Sequence, residues 1–577
     1  MDMRLTGLMW LMLVGADTVW SADPGRYLPD LPPVSVMVAP ELTGDEAEGA
    51  WADESVLVDA LRGVVLLGSE VGVDVGGLRG VAGLAVGGGL ELPGKGALAV
   101  RLEGYFGEAL SLASLGRLTR EVVGHYRDEG RPVVDVVVVP QDVTSGVVQL
   151  VVVEGRRGEV VVRGNEHFSR EMLLRQVRTG EGEVLAQEPL LEDLEWLNSN
   201  PFRHVNLVYT PGEEFGVTDI VLDVREARPW RLYAGLEDTG TEATGEELFV
   251  SGVSLGNVWG IDHVAGYQYT ASADFERLGG HSLVYRLPLP WRHRLTFYGL
   301  YVTTETSDSL VGVPLSTGGK SFQASLRYEV PLPNVGEAEQ VLRAGLDFKR
   351  TDNDLEFGGT SVFATTTDIF QVVLEHEVSL EDGSGETTLE TRLVWSPGSV
   401  GGSNNDAAFQ AMRAGADASY LYGWMGLERE QALPWGAELV ARAGGQLSSS
   451  NLLATEQLYG GGYESVRGFD NYALRGDEGV LAGLELRAPG FSPLGLIGAE
   501  DADDELVLLG FWDIGVMGSK QPLPGESSNV TLQGAGVGLR YRIGDRVSAR
   551  LDYGWAVDDP GLGGASGRGY FGVSVSF

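Results

Sequence analysis

The amino-acid sequence predicts two small α+β units followed by an all-β transmembrane antiparallel barrel of about sixteen strands. Three observations predict this architecture. Patterns typical of amphipathic helices stop near residue 228. Beyond that point, runs of about ten residues alternate in polarity and are rich in aromatic residues and glycine. In addition, no run of eighteen apolar residues is present, so a membrane-spanning part could only be built from barrel strands.

The start of the chain is typical of a targeting segment and a linker. An apolar stretch, Leu5–Ala16, follows Arg4 and is too short to span a bilayer. Residues 1–21 are therefore predicted to be a secretory signal peptide, with a buried first strand or helix as the alternative. Residues 22–55 contain five prolines and an acidic run, which predicts an extended or flexible linker.

Composition and charge limit the classes of partner and chemistry. The 577 residues include 82 acidic and 42 basic side chains, which gives a net charge of −40 at pH 7. A nucleic-acid-binding protein needs a basic face, so we expect no nucleic-acid partner. The absence of cysteine excludes a disulfide framework, a cysteine-ligated metal centre and a thiol nucleophile. Lysine occurs only at positions 95, 320, 349 and 520, so nearly all cations are arginines.

Residues 56–155 are predicted to form the first α+β unit. Its early part, residues 70–100, is an excess of glycine-rich sequence that predicts short strands. Residues 111–129 carry apolar side chains at helical spacing, which predicts a helix packed on the hairpin that follows. The predicted hairpin consists of Val133–Val139, a turn with Pro140, Gln141 and Asp142, and Val147–Val153.

Residues 156–227 are predicted to form the second α+β unit, in the order strand, helix, helix, strand, strand. A serine that can cap a helix and a leucine-rich stripe indicate the two helices. The predicted elements are Val160–Arg163, a helix from Ser169 to Arg178, a helix from Gln187 to Asn198, Val205–Tyr209 and Val217–Val224.

Residues 228–577 are predicted to form the barrel. About 350 residues shared among about sixteen runs leave about 22 for each strand and its connection, as expected for an outer-membrane barrel. Short connections alternate with long ones such as residues 304–319 and 448–476, which puts the α+β units on the short-turn side. A soluble β-sandwich is the alternative, but it would place many arginines and aspartates in its core.

A glycine-rich motif in the longest connection is the main candidate site. Three glycines precede Val466, Arg467, Gly468 and Phe469, and they allow tight turns and close approach to other parts of the chain. An arginine there can make a bidentate pair with a carboxylate. Asp513 is a candidate partner, because alternation along its strand points it into the lumen. The alternative is an ordinary surface loop with a solvated arginine.

Signals for catalysis are weak. The seven histidines are scattered, and the sequence contains neither a zinc-binding histidine pair nor a nucleophile elbow nor a phosphate-binding loop. Clustered carboxylates at residues 501–505 are more typical of a solvated loop than of a calcium site. We therefore expect no enzyme activity, no catalytic residue, no metal and no cofactor.

These motifs resemble those of the outer-membrane POTRA–barrel superfamily that includes BamA. The segment Val466 to Phe469 is similar to the superfamily's loop that folds back into the barrel, and the two α+β units resemble its POTRA domains. The hairpin with Pro140, Gln141 and Asp142 is similar to that of the TpsB branch, the two-partner secretion transporters of the FhaC/ShlB/HecB kind. The strand around Asp513 and the terminal Phe577 also match this branch.

The resemblance implies a translocation pore in the bacterial outer membrane. POTRA domains in the periplasm would bind one unfolded secreted exoprotein, a TpsA-like client, and the barrel would export it. Arg467 would pair with Asp513 inside the barrel, and their loop would gate or shape the pore. Phe577 would belong to a terminal signal read by the barrel assembly machinery, a further partner besides outer-membrane lipid. The family usually carries an amphipathic plug helix before the first POTRA domain, whereas residues 23–50 show no convincing helix.

Two other functions stay open on the sequence. A barrel-assembly factor of the BamA/TamA kind would generally carry more POTRA domains than the two, or three, for which this chain has room. A passive porin-like channel would need no periplasmic docking units.

Overall fold

The computed structural model describes residues 36–37, 53–310, 313–357, 360–499, 502–522, 529–558 and 567–577. The predicted signal peptide and most of the predicted linker lie outside these residues. One compact unit ends at Ala227, and a second begins at Arg228. No helix among the described residues is long and apolar enough to cross a membrane.

The N-terminal unit contains ten strands and four α-helices among its described residues. The strands are β1 (Val36–Met37), β2 (Val56–Val58), β3 (Gly63–Leu67), β4 (Gly83–Gly87), β5 (Leu110–Ser111), β6 (Val134–Val137), β7 (Val147–Glu154), β8 (Arg156–Arg163), β9 (Arg203–Pro211) and β10 (Val217–Glu226). The helices are α1 (Lys95–Leu102), α2 (Leu112–Asp128), α3 (Arg170–Leu174) and α4 (Gln187–Asn198).

The first four-stranded sheet has the order β4-β3-β7-β6 and supports α2. Ser111 caps α2 in a capping box with Ser114. The apolar stripe of the helix, including Leu118 and Tyr126, is fully buried in one core with residues of β3 and β7. The glycine-rich segment is not all excess, since it supplies β4, which pairs in parallel with β3. The predicted hairpin is present, although β7 is an interior strand and only β6 is an edge.

The second sheet has the order β1-β9-β10-β8. Helix α3 ends at Leu174, so the prediction that it continues to Arg178 was wrong. The backbone N–H of Arg178 donates to Asp193 Oδ2 at 2.8 Å and its Nε donates to Asp193 Oδ1 at 2.7 Å. These bonds to α4 hold the backbone of Arg178 outside the helix. Part of the predicted linker is extended, because β1 pairs in parallel with the outer edge of β9.

The C-terminal unit is a closed barrel of sixteen antiparallel strands, which confirms the predicted number and fold class. The first strand, β11, closes the barrel by pairing with the last, β28. The barrel strands are β11 (Trp230–Glu237), β12 (Leu248–Val258), β13 (His263–Ser272), β14 (Leu278–Pro288), β15 (Arg294–Leu310), β16 (Val313–Val335), β17 (Ala338–Phe357), β18 (Thr360–Asp382), β19 (Gly385–Pro397), β20 (Ser419–Ala432), β21 (Glu438–Ser448), β24 (Glu478–Arg487), β25 (Asp504–Gly518), β26 (Val530–Ile543), β27 (Val547–Ala556) and β28 (Gly567–Ser576). Between them lie β22 (Leu458–Gly460), β23 (Leu474–Gly476) and two short helices, α5 (Asp406–Met412) and α6 (Pro493–Leu496).

Side chains alternate between the two faces of the barrel wall. On β25, Trp512 is 38% exposed on the outer face, whereas Asp513 is 3% exposed on the lumenal face. One predicted long loop, residues 304–319, is instead a continuation of β15 and β16, which pair up to Leu310 and Val313. The threonines and valines of this stretch favour extended backbone. The loop prediction did not take this preference into account.

Candidate functional site

The connection between β21 and β24, residues 449–477, folds back into the barrel lumen. Its stem is the hairpin of β22 and β23, in which Tyr459 pairs with Arg475. Gly461 and Gly462 follow the stem with φ of 94° and 97°, a backbone region that glycine adopts readily. A Cβ at Gly461 would lie 2.5 Å from the carbonyl oxygen of Asp470. These glycines therefore allow the close turn that carries the tip of the loop to the inner wall.

Arg467 lies at the tip of this loop and is bound to Asp513 on β25. Its Nε donates to Asp513 Oδ2 at 2.8 Å, one Nη donates to Oδ1 at 3.1 Å, and its backbone N–H donates to Oδ2 at 3.2 Å. The guanidinium also lies over the ring of Phe511, with Cζ 3.5 Å from the ring centroid. This is a bidentate, charge-assisted pair reinforced by a cation–π contact.

Two further carboxylates and two further arginines complete the cluster. The other Nη of Arg467 donates to Glu485 at 2.9 Å and lies 3.5 Å from Asp552. Arg487 pairs with Glu485 at 2.8 Å, and Arg540 pairs with Asp552 at 2.9 Å. Three arginines therefore face three carboxylates, so the buried charges compensate one another. We name these six side chains the arginine cluster: Arg467, Arg487, Arg540, Glu485, Asp513 and Asp552.

Gly468 and Phe469 anchor the loop to the neighbouring strands β26 to β28. The Gly468 N–H donates to the hydroxyl oxygen of Tyr570 at 2.8 Å, and that hydroxyl donates to the Phe469 carbonyl at 2.5 Å. Gly468 has φ of 108°, and a Cβ on it would lie 2.9 Å from the backbone of Trp555. A glycine in the barrel wall also leaves room for the loop, because a Cβ on Gly534 would lie 1.7 Å from the Arg467 carbonyl oxygen. The contact thus depends on glycines in both the loop and the wall.

Val466 supplies the apolar part of the same contact. Its side chain is fully buried among Leu458, Leu481, Met517 and Leu532, and Phe469 packs against this group. The four motif residues therefore have different roles in the contact. Arg467 binds charge, Gly468 permits the backbone approach, and Val466 and Phe469 fill an apolar site.

The residues predicted as a POTRA signature stabilise their hairpin. Gln141 accepts from the backbone N–H of Gln149 at 2.8 Å and donates to its carbonyl at 2.7 Å. Asp142 accepts from the Thr144 N–H at 2.9 Å, and this hydrogen bond lowers the pKa of the Asp142 carboxyl below its usual value. Pro140 begins the turn and is exposed. The structure thus gives Gln141 and Asp142 the role of holding the turn between β6 and β7.

Phe577 lies at the seam where the barrel closes. Its N–H donates to the Leu232 carbonyl at 2.8 Å, and its carbonyl accepts from the Leu232 N–H at 3.2 Å. The side chain is 74% exposed on the outer face. The terminal residue therefore continues the pairing of β28 with β11.

Sequence reasoning did not find Glu485 or Tyr570, nor the roles of Asp552 and Gly534 in this contact. Alternation along β27 assigns Asp552 to the lumenal face, as for Asp513, and alternation along β24 could have assigned Glu485 to it as well. No local signal marks Tyr570 or Gly534, because their importance depends on where the loop enters the lumen. Among the described residues, no group of acidic and histidine side chains is arranged to hold a metal ion.

A closed sixteen-stranded barrel follows two α+β units and holds an inward-folded, arginine-tipped loop, which is the arrangement expected above for an outer-membrane barrel protein with two N-terminal docking units. The family model for haemolysin secretion/activation protein ShlB/FhaC/HecB matches residues 216–541, and the chain belongs to this family. A model for the ShlB-type POTRA domain matches residues 83–155. The predicted family, the predicted location in the outer membrane and the predicted class of function, a TpsB-type translocation pore, are confirmed. This function is favoured over the assembly-factor and porin alternatives.

Curated relatives carry transporter names. The chain is 22% identical to the heme/hemopexin transporter protein HuxB of Haemophilus influenzae strain 86-028NP over 481 residues, 77% of each chain. It is 24% identical to the hemolysin transporter protein ShlB of Serratia marcescens over 390 residues, 66% of this chain and 67% of that one. It is also 24% identical to the outer membrane transporter CdiB-2 of Burkholderia pseudomallei strain 1026b over 373 residues, 61% of each.

Solved structures agree on the fold. CdiB from Escherichia coli superimposes with a TM-score of 0.71 at 19% identity and covers 94% of this chain and 93% of its own. CdiB from Acinetobacter baumannii superimposes with a TM-score of 0.61 at 17% identity over 94% and 95%. At these identities the likeness establishes the barrel and POTRA architecture alone.

Proposed function

We propose that this transporter exports one large, unfolded secreted protein, which the periplasmic unit captures through main-chain hydrogen bonds. The observation that carries the proposal is the outer edge of β9. Two residues of the chain itself, Val36 and Met37, already pair there in parallel with Leu207 and Val208. An edge that accepts one extended segment offers the same backbone donors and acceptors to a client strand, with little demand on the client's sequence.

A cavity beside β9 would bind side chains of such a client. It has a volume of 350 Å³ and lies between α4 and β9. Its lining is mainly apolar, with Arg127 as the charged member, and Leu190, Leu191, Leu207 and Tyr209 form most of its walls. Alternate side chains of an extended segment could enter this cavity while its backbone pairs with the edge. The edge supports affinity and the cavity supports choice among clients.

The first α+β unit, residues 56–155, offers a second and shorter edge strand. Of the two strands of the predicted hairpin, only β6 lies at the rim of its sheet, because β7 is paired on both sides. Strand β6 spans four residues, whereas β9 spans nine. We therefore assign the main contact with the client to β9.

The barrel's own partners follow from its two surfaces. Apolar side chains such as Trp512, Leu551 and Trp555 are 38 to 50% exposed on the outer face and would contact outer-membrane lipid. Phe577, exposed beside the closing seam, is available to the barrel assembly machinery before the seam forms. The proposal gives the chain no catalytic step, since export needs only binding and passage.

Site-specific photocrosslinking tests the docking edge. A photoreactive amino acid at Val208, half-buried on the outer edge of β9, should crosslink to the exoprotein whose secretion depends on this transporter. The matched control is Arg225, which is exposed but belongs to β10, a strand paired on both sides. Crosslinking at Arg225 with equal yield, or none at Val208 during active secretion, would contradict docking at this edge.

A further inference from the structure

A second contact inside the lumen involves residues that the arginine cluster does not use. Two outer connections contribute to it, residues 398–418 between β19 and β20 and residues 449–457 at the start of the connection after β21. We call these two segments the exit plug. They contact each other directly, because Ala416 and Asn451 form an isolated parallel bridge.

The exit plug has an apolar core against the inner wall. Phe409 of α5 and Leu452 are both fully buried, and they pack with Ile369 and Val373 of β18 and with Tyr420 of β20. Barrel lumens are usually polar and filled with water. An apolar core at this place shows that the two segments are folded onto the wall of β18 to β20 rather than held there by polar contacts alone.

Glu456, at the end of the second segment, is a fully buried acidic hub. Lys349 of β17, 6% exposed, places its Nζ 2.7 Å from Glu456 Oε1. Gln371 and Tyr422 donate to Glu456 Oε2 at 2.5 and 3.1 Å. The chain has four lysines, and this one is buried in an ion pair between the wall and a connection.

A second buried carboxylate ties the two segments together. Asp477 is fully buried and pairs with both Nη atoms of Arg413, one of them at 2.9 Å. It also accepts from the backbone N–H of Leu452 at 2.9 Å and from the Gln457 amide at 3.2 Å. Because Asp477 is the residue before β24, it connects the exit plug to the far end of the same connection that carries Arg467.

The plug is packed less closely against the wall of β15 to β17. A cavity of 230 Å³ lies there, between Leu300, Val302 and Gln323 of the wall and Met412 and Leu453 of the plug. Lys349 also borders this cavity, so its ion pair bridges the side on which apolar packing is incomplete. Removing one member of a buried pair leaves the other uncompensated at a large cost, whereas neutralising both costs little.

We propose that the exit plug closes the outer half of the lumen in the resting transporter and that Lys349 with Glu456 is the latch that must open before a client can leave. This inference rests on the export function and adds the residues that control it. The latch is separate from the arginine cluster, which anchors the tip of the loop to the opposite wall.

Ion conductance of the purified, full-length protein in planar bilayers tests the latch without any client. Lys349→Met leaves Glu456 without its counter-charge and should raise the open fraction at least about tenfold. The double variant Lys349→Met/Glu456→Gln leaves no buried charge and should return towards the parent. Parent-like conductance of Lys349→Met, or a double variant as open as the single one, would overturn the latch.

A disulfide tests whether the plug must move during export. The Asp368 N–H donates to the Ser403 carbonyl at 3.2 Å, so wall and plug backbones are adjacent, and the chain has no native cysteine to interfere. Asp368→Cys/Ser403→Cys should lose export when oxidised and regain it on reduction. The matched control disulfide is Ser548→Cys/Ser574→Cys, which joins the paired strands β27 and β28. This variant should export when oxidised and when reduced. Undiminished export by the oxidised first pair would overturn the proposal.

The conductance and export experiments distinguish an error in the exit-plug proposal from an error in the proposed export function. Conductance depends on the plug alone, whereas export depends on the client and its docking edge. Absence of export by the parent protein itself would count against the proposed export function, and the conductance of the Lys349 variants would still decide the latch.

Discussion

At the scale of single residues, the position of the inward loop depends on how charge is compensated around Arg467. Its side chain is 8% exposed, and the guanidinium lies within 3.5 Å of three carboxylates on β24, β25 and β27. Each of these carboxylates would be costly to bury alone. The loop tip therefore completes the inner wall electrostatically, and the wall in turn fixes the loop tip.

We predict that Arg467→Ala leaves the barrel inserted but reduces export at least about tenfold. The substitution removes the countercharge of buried Asp513, a change that typically costs about 3–5 kcal/mol, so the loop should leave its site. Arg429→Ala is the matched control, because Arg429 pairs at 2.9 Å with Asp382, which is 41% exposed. Outer-membrane insertion is read from heat-modifiable migration and export from secreted client. Normal export by Arg467→Ala would contradict the assignment.

The lumenal face of Asp513 could be predicted because alternation along β25 needs only the local sequence, and its pairing with Arg467 was implied by the resemblance. The roles of Tyr570 and Gly534 could not, since they depend on where the loop crosses the lumen. The same holds for the Lys349 contact with Glu456, whose partners are 107 residues apart. A rare lysine among arginines was visible in the sequence, but its partner was not.

At the scale of elements, strands β26 and β27 are shaped to receive the loop. Gly534 and Gly554 lie beneath the backbone of Arg467 and Gly468, and a Cβ on Gly554 would lie 2.5 Å from the Gly468 nitrogen. Glycine within a strand normally weakens it. Here the missing side chains are the space that the loop tip occupies.

Gly534→Ala should displace the loop tip and reduce export, because the new Cβ would lie 1.7 Å from the Arg467 carbonyl oxygen. Gly423→Ala on β20 is the matched control, since its nearest neighbours would be 3.8 Å away. Limited proteolysis of the loop in intact outer membranes, together with export assays, checks the prediction. Equal protection of the loop and equal export in both variants would argue against a wall shaped for the loop.

Elements with strong local signals could be predicted closely. Helix α4 has the predicted bounds, and α2 differs from its prediction by one residue at each end. Helix α3 was predicted too long, because the backbone N–H of Arg178 donates to Asp193 of α4 instead of continuing the helix. Strands β15 and β16 were predicted too short, because pairing between them extends the sheet where the sequence was taken for a loop. In both cases a tertiary contact overrides the local pattern.

At the scale of the whole molecule, the closed barrel and the family match define the class of the protein, and the proposed docking edge of β9 would supply its contact with the client. The strand count was predictable from periodicity and length, because barrels obey narrow geometric rules, whereas the predicted long connection at residues 304–319 was wrong. The resemblance implied that the connection carrying Arg467 folds into the lumen, whereas no local signal indicated that residues 398–418 pack against the inner wall as well. The central claim is that the chain serves export of a particular protein.

Comparing the secreted proteins of a deletion strain with those of its parent tests this claim most directly. We predict the loss of one large exoprotein, restored by the parent gene but not by Arg467→Ala, while outer-membrane proteins keep their normal abundance. A broad fall in many outer-membrane proteins, with no single secreted protein lost, would contradict the account and indicate a barrel-assembly factor.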